Sequence, residues 1–127
     1  MGLLLDTHTL LWWVEDDKRL SKKATSAIIA HDCFVSIASA WELSIKANLG
    51  KIKLSKPVAE FFEEHVIGNG FEILPIRLNA IAELEKLKRH SHGDPFDRML
   101  VVQSQLESLP IVSCDSSFAQ YKVKLVW

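Results

Sequence analysis

The chain has 127 residues, 48% of them hydrophobic and 24% charged, and 15 Lys and Arg against 16 Asp and Glu leave a net charge of −1. Residues 1–127 are the right amount of chain for a single domain with a real core, which excludes a disordered segment. The balanced charge excludes a globally basic nucleic-acid binder, so any contact with nucleic acid must come from local clusters of Lys and Arg.

Cys33 and Cys114 stand in separate apolar runs with no metal-type spacing to histidine. Both are expected to be buried thiols in a reducing cytosol rather than a disulfide. Asp6 and His8 interrupt the apolar N-terminal run, and no basic segment precedes it, unlike a signal peptide. No apolar stretch approaches the ~20 residues of a membrane span. The expectation is a cytoplasmic protein with no membrane partner.

In chain order, Leu3, Leu4 and Leu5 form a buried-strand run that stops at Asp6, so residues 2–6 are predicted as the first strand. Thr7 or Thr9 opens a helix to about Val14. That helix is apolar nearly all round, more than a small domain usually hides, so part of the surface near Trp12 and Trp13 is expected to face a partner. A charged turn over 15–19 leads to a helix over 22–31, with Ser21 as N-cap and Ala24, Ala27, Ile28 and His31 turned inward. Strand two covers 33–37. Ser39 or a neighbour starts a helix over 38–49, which Gly50 ends. A basic connector, 51–56, precedes a helix over 57–67 that begins at Pro57 and breaks at Gly68-Asn69-Gly70. Strand three is 71–74. A helix over 79–89 carries Ile81, Leu84 and Leu87 at helical spacing, and 90–93 form a loop. Asp94-Pro95 starts a helix to about Glu107. Strand four, 110–114, ends at Asp115; a short helix over 116–121 and an edge strand over 123–127 follow. Strands alternating with helices imply an α/β domain, a three-layer α/β/α sandwich around a mainly parallel sheet.

In open α/β sheets, ligands sit beyond the carboxyl ends of the strands, which directs attention to the acids there. Asp6 ends strand one and reads equally as a helix cap or a ligand. On the helix 38–49, Ala38, Trp41, Ile45 and Leu49 form an apolar stripe, and Glu42 lies only about 40° from Ala38. A carboxylate at that border needs a cation, a site or its i+4 neighbour Lys46 to offset burial. Asp94 is explained as the N-cap of its helix. Asp97 sits in the first turn, where an acid suits the dipole and also leans over the sheet end. Arg98 orients one of these acids, meets a phosphate or is simply solvated. Asp115 closes strand four as Asp6 closes strand one. Capping has to explain these acids one by one, whereas a shared cation explains them together. Carboxylates without a His/Cys set favour Mg²⁺ or Mn²⁺. Lys46, Lys51, Lys53 and Lys56, with Lys86, Lys88 and Arg89, form either a positive rim or ordinary solvated surface. His90 and His92 are weak candidates for zinc, and Trp12, Trp13 and Trp41 read as core or interface rather than as stacking platforms.

Three runs carry a resemblance: Leu4-Leu5-Asp6-Thr7-His8-Thr9-Leu10-Leu11-Trp12-Trp13, Ser36-Ile37-Ala38-Ser39-Ala40-Trp41-Glu42-Leu43-Ser44-Ile45-Lys46, and His92-Gly93-Asp94-Pro95-Phe96-Asp97-Arg98-Met99-Leu100. Their ordered set resembles the PIN-domain family, and more narrowly the VapC-like ribonuclease toxins of bacterial type II toxin–antitoxin systems. The resemblance implies a Mg²⁺- or Mn²⁺-dependent endoribonuclease. It implies that Asp6, Glu42, Asp97 and Asp115 are catalytic, that Asp6, Asp97 and Asp115 are metal ligands, and that Thr7, Asp94 and Arg98 support them. It also implies a homodimer and a small antitoxin whose C-terminal segment covers the site. Asp94 belongs to a variant of the motif, and the fourth acid is the family's most variable. A haloacid-dehalogenase-like phosphatase needs a second acid where this chain has His8. A receiver domain needs an acid pair after strand one and a late strand-ending lysine. A non-catalytic α/β binding module and a DNA-directed nuclease of related fold remain as alternatives.

Overall fold

The computed structural model describes residues 1–90 and 93–127. Five parallel strands form its sheet: β1 (Gly2–Leu5), β2 (Asp32–Ser36), β3 (Glu72–Leu74), β4 (Ile111–Val112) and β5 (Leu125–Val126). Their spatial order is β3-β2-β1-β4-β5. β1 is central, with Leu3 beside Cys33 and Leu5 beside Val35 on one side, and Leu5 beside Val112 on the other. The strand order reverses between β1 and β4, which opens a crevice at their carboxyl ends.

Among the described residues, six α-helices cover the sheet: α1 (Thr7–Val14), α2 (Lys22–Ala30), α3 (Ile37–Asn48), α4 (Val58–His65), α5 (Leu78–Lys86) and α6 (Pro95–Glu107). The two-residue period of β1 separates the layers. Leu3 and Leu5 pack with Leu10, Ile28, Leu43, Phe61 and Phe62, from α1 to α4. Leu4 points the other way, into Leu100, Val101, Ile111 and Phe118. All three leucines are fully buried, each stabilising the fold by about 1.5–3 kcal/mol. Burial on both faces is why β1 reads as a continuous apolar run rather than an alternating one. The third cluster, Ala38, Ala80, Met99 and Val102, joins α3, α5 and α6.

The predicted layering and strand order of appearance match this architecture, with local differences. The α3 cap is Ser36, whose hydroxyl accepts from the Ala38 amide, not Ser39, which is buried in a side-chain network. Only Ile111 and Val112 pair as β4, so Asp115 lies beyond the strand and caps a 3-10 turn, Ser116–Gln120. Ala24 and Ile28 are buried as expected, but His31 and Ile81 are exposed. Gly70 adopts φ 78° to close the Ile67–Asn69 turn, a conformation that favours glycine. Cys33 is buried, Cys114 is exposed, and both are free thiols. Trp12 and Trp13 are half-buried, Trp12 against Trp127 and Trp13 against Phe71. The larger exposed apolar stripe is on α3 instead: Ile37, Trp41, Ile45 and Leu49 are 38–61% exposed. The helix thus turns its Ala38, Ser39, Glu42 and Leu43 side inward, so that of the expected apolar stripe Ala38 is buried while Trp41, Ile45 and Leu49 face out.

Candidate active site

The crevice between the ends of β1 and β4 is built by hydrogen bonds within each strand end and across the two. The Asp6 backbone N–H donates to the Val112 carbonyl (3.2 Å), and the Thr9 hydroxyl donates to the same oxygen (2.7 Å). Both pin the start of α1 to the neighbouring strand. Asp6 caps α1, its Oδ1 accepting from the amides of His8 (2.7 Å) and Thr9 (3.3 Å). The Ser113 hydroxyl donates to Asp6 Oδ2 and accepts from the Asp115 amide (3.0 Å). Ser113 therefore ties the first acid to the last, a role that the sequence reading missed. Its signal in the sequence is its place two residues ahead of Asp115; its position beside the end of β1 comes from the fold.

Glu42 arrives from α3. It is 5% exposed, with Oε1 accepting from the Thr7 hydroxyl (2.7 Å) and Oε2 from Lys46 Nζ (2.7 Å). The Thr7 oxygen also lies 2.9 Å from Ser39 Oγ. Burial of this carboxylate is offset by an ion pair and a buried hydroxyl, so Lys46 and the site both account for Glu42. Asp94 caps α6 over Pro95, its Oδ1 accepting from the amides of Phe96 (2.9 Å) and Asp97 (3.0 Å). That cap sets the first turn from which Asp97 projects. Asp115 Oδ1 accepts from the Ser117 amide (2.9 Å) and hydroxyl (2.6 Å).

These elements bring Asp6, Glu42, Asp94, Asp97 and Asp115 to one cleft of about 220 Å³, together with Thr7, His8 and Lys46. His8, which the motif reading does not assign to the site, also lines the cleft, two residues after the strand-ending acid. Two larger hollows, one beside Met1 and Leu109 and one beside Trp13 and Leu20, contain none of these five acids. Of the predicted basic clusters, Lys46 alone lines the cleft. Lys56 pairs with Glu64, and Lys86 lies 3.7 Å from Glu83.

Arg98 does not join the acids. Its guanidinium donates to the carbonyls of Leu87 (3.1 Å) and Lys88 (3.2 Å) and to the Tyr121 hydroxyl (3.3 Å). One turn into α6, it reaches backward to the end of α5, because those carbonyls need donors and the cleft already holds Lys46. His90 packs edge-on against Tyr121 at 4.9 Å, and His92 of the suggested zinc pair lies outside the described residues.

The local field is strongly negative. Burial raises the Asp6 carboxyl above its usual value of 3.8, against the lowering effects of the Ser113 hydroxyl, the Thr9 amide, His8 and the His8 amide. Lys46 is raised by its hydrogen bond to Glu42 and by the nearby charges of Asp94 and Asp97. The thiol of the exposed Cys114 is raised by partial loss of hydration and then by Asp6 and Asp115. Lys46 and Cys114 thus register the nearby acids, whereas the rise of Asp6 comes from burial. The donor set is all carboxylate oxygen, which suits a hard divalent cation that keeps part of its hydration. As the side chains stand, no three His, Cys, Asp or Glu groups among the described residues are close enough to grip an ion outright.

Comparison with known proteins identifies the family and the fold. The PIN domain family model matches residues 3–124. Ribonuclease VapC22 of Mycobacterium tuberculosis (strain ATCC 25618 / H37Rv) is 30% identical over 99 residues, covering 77% of this chain and 75% of its own length. Two solved structures share the fold. FitAB bound to an IR36 DNA fragment has a TM-score of 0.67 at 17% identity, covering 98% of this chain and 93% of that one. A toxin–antitoxin complex from Klebsiella pneumoniae has a TM-score of 0.64 at 18% identity, covering 92% and 90%.

Proposed function

This chain belongs to the PIN-domain family, and on that premise we propose that it is a VapC-like endoribonuclease, the toxin of a type II toxin–antitoxin system. The observation that carries this reading is the convergence of Asp6, Glu42, Asp97 and Asp115 on one cleft at the reversal in strand order. Residues 1–127 act as a single nuclease domain in this reading. Asp6, Asp97 and Asp115 would hold Mg²⁺ or Mn²⁺, with Glu42 completing the acid set. When bound, such an ion supplies Lewis-acid charge at phosphorus and lowers the pKa of water.

The remaining residues position these groups. Thr7 fixes one Glu42 oxygen, and Ser113 fixes one Asp6 oxygen. Asp94 sets the first turn of α6 and so the place of Asp97. Lys46 puts an ammonium beside Glu42, within reach of a phosphate entering the cleft. Arg98 serves the fold by clamping the end of α5 to α6. A small antitoxin covers the cleft, and a second copy of the chain docks elsewhere; the exposed α3 stripe of Ile37, Trp41, Ile45 and Leu49 supports a protein partner on that face. A cytoplasmic location accords with two unpaired thiols and with the lack, among the described residues, of any helix long and apolar enough to cross a membrane.

The test is cleavage of total RNA and purified tRNA with mapped ends, with and without Mg²⁺ or Mn²⁺, alongside divalent-ion titration of the thermal melt. Metal-dependent RNA cleavage and a rise in melting temperature are expected. No cleavage and no thermal shift would instead describe a binding module. Cleavage of DNA in place of RNA would reassign the substrate.

A further inference from the structure

We infer that the His8 ring, backed by Trp12, is a stacking platform for a nucleobase of a single-stranded substrate passing the acid cleft; the inference rests on the ribonuclease reading above. The cleft is short of positive charge. The protein's net charge is −1, and the cleft sets five carboxylates against Lys46 and His8. Lys46 and the ion proposed above serve the one phosphate at the acids, so the grip on the neighbouring nucleotides must come largely from their bases. Aromatic faces supply that kind of affinity, and they do so for any base because every base has a π-face.

His8 is in the right place. Its amide donates to Asp6 Oδ1, which fixes the residue two positions from the strand-ending acid, and its exposed side chain lines the same cleft. One turn along α1, Trp12 stands on the same helix face, with ring centroids 6.0 Å apart and planes tilted by 43°. Trp12 is itself held from two further directions. The Trp127 ring meets it at 5.7 Å and 60°, and the Arg19 guanidinium lies 4.9 Å from its centroid. Arg19 is fixed in turn by donating Nε and Nη2 to the Asp17 carboxylate. A row of planar groups therefore runs from the cleft across the outer side of α1. His8 is its exposed end at the acids, and Trp12 its anchored second member. Being half-buried, Trp12 acts by backing His8 rather than by taking a base itself.

The experiment uses the full chain carrying Asp97→Asn to silence cleavage, with a fluorescein-labelled 12-nucleotide single-stranded RNA followed by anisotropy over a KCl series. His8→Ala is expected to weaken binding about tenfold, the order of one lost base stack. His8→Phe is expected to stay within about twofold of the parent, because the stack needs a flat ring and not an imidazole. The slope of log Kd against log salt is expected to be below about 3, since few phosphates are contacted. In the cleavage-competent protein, His8→Ala should raise KM more than it lowers kcat, and His8→Phe should reverse this. Unchanged binding by His8→Ala, a loss in His8→Phe as large as in His8→Ala, or a steeper salt slope would each overturn the inference. RNA cleavage that Asp6→Asn abolishes would leave the ribonuclease reading standing whatever the His8 variants do. Its absence from the parent protein would remove that reading directly.

Discussion

Asp6 has two separable roles, as helix cap and as charge, and two substitutions pull them apart. Asp6→Asn keeps an oxygen for the amides of His8 and Thr9 and offers an N–H to Ser113 Oγ, but removes the charge. Asn and Asp are near-equivalent caps, so the helix start should survive. Asp6→Ala removes the acceptor of both amides and strands the buried Ser113 hydroxyl. A lost cap costs about 1 kcal/mol, and an unsatisfied buried hydroxyl costs about 1 kcal/mol more. The Ser113 hydroxyl loses its carboxylate acceptor in both variants, so Asp6→Ala should be about 1 kcal/mol less stable than Asp6→Asn through the lost cap, or roughly 3–5 °C lower in melting temperature for a domain of this size. Burial lifts the Asp6 carboxyl above 3.8, so ionised Asp6 costs the native state stability at neutral pH. Below pH 3.8 the carboxyl is protonated in both states and the parent carries no such cost; stability is lost as pH rises through the raised native value. Asp6→Asn should accordingly melt at or above the parent at pH 7, with the advantage shrinking toward pH 3.8 and below. RNA cleavage should vanish in both variants. Thermal melts from pH 3.5 to 8 and an RNA cleavage assay read all of this. Full cleavage by Asp6→Asn, or equal destabilisation by the two variants, would refute the separation of cap from charge.

Glu42→Gln should reduce cleavage by about 100-fold or more, while costing only about 1 kcal/mol in stability through the lost Lys46 pair. In the parent, Lys46 is raised by Glu42, so its stabilising contribution is complete below pH 10.5 and is lost as pH rises through the higher native value. Alkaline melts should therefore show a steeper fall for the parent than for Glu42→Gln. Arg98→Ala should lower stability by about 1–2 kcal/mol, measured by urea unfolding, because three acceptors lose their donor; cleavage by the folded fraction should stay close to that of the parent. Leu49→Glu, on the exposed α3 stripe, should leave the melting temperature within a few degrees and change the mass measured by light scattering or the capture of an antitoxin. Neither changing would assign that stripe to bare surface.

Much of this molecule is written in short-range patterns. The run Leu3-Leu4-Leu5 before Asp6 specifies a doubly buried strand ending in a cap, and Asp94-Pro95 specifies the start of α6, because strand burial, N-capping and the fixed φ of proline act within a few residues. Alternation of such units specifies the parallel layered fold, and the ordered motifs around Asp6, Glu42 and Asp97 specify the family. Which side of α3 faces inward was decided only by tertiary packing. By period alone Trp41, Ile45 and Leu49 make the better core stripe, yet the chain buries Ser39 and Glu42 because Thr7 and Lys46 meet their polar atoms there. The same holds for Arg98, whose acceptors are carbonyls ten and eleven residues back, and for Ser113, which meets Asp6 across a separation of 107 residues. Hydrogen bonds between distant segments exist only once strands four and one lie side by side, and no local spacing encodes that adjacency.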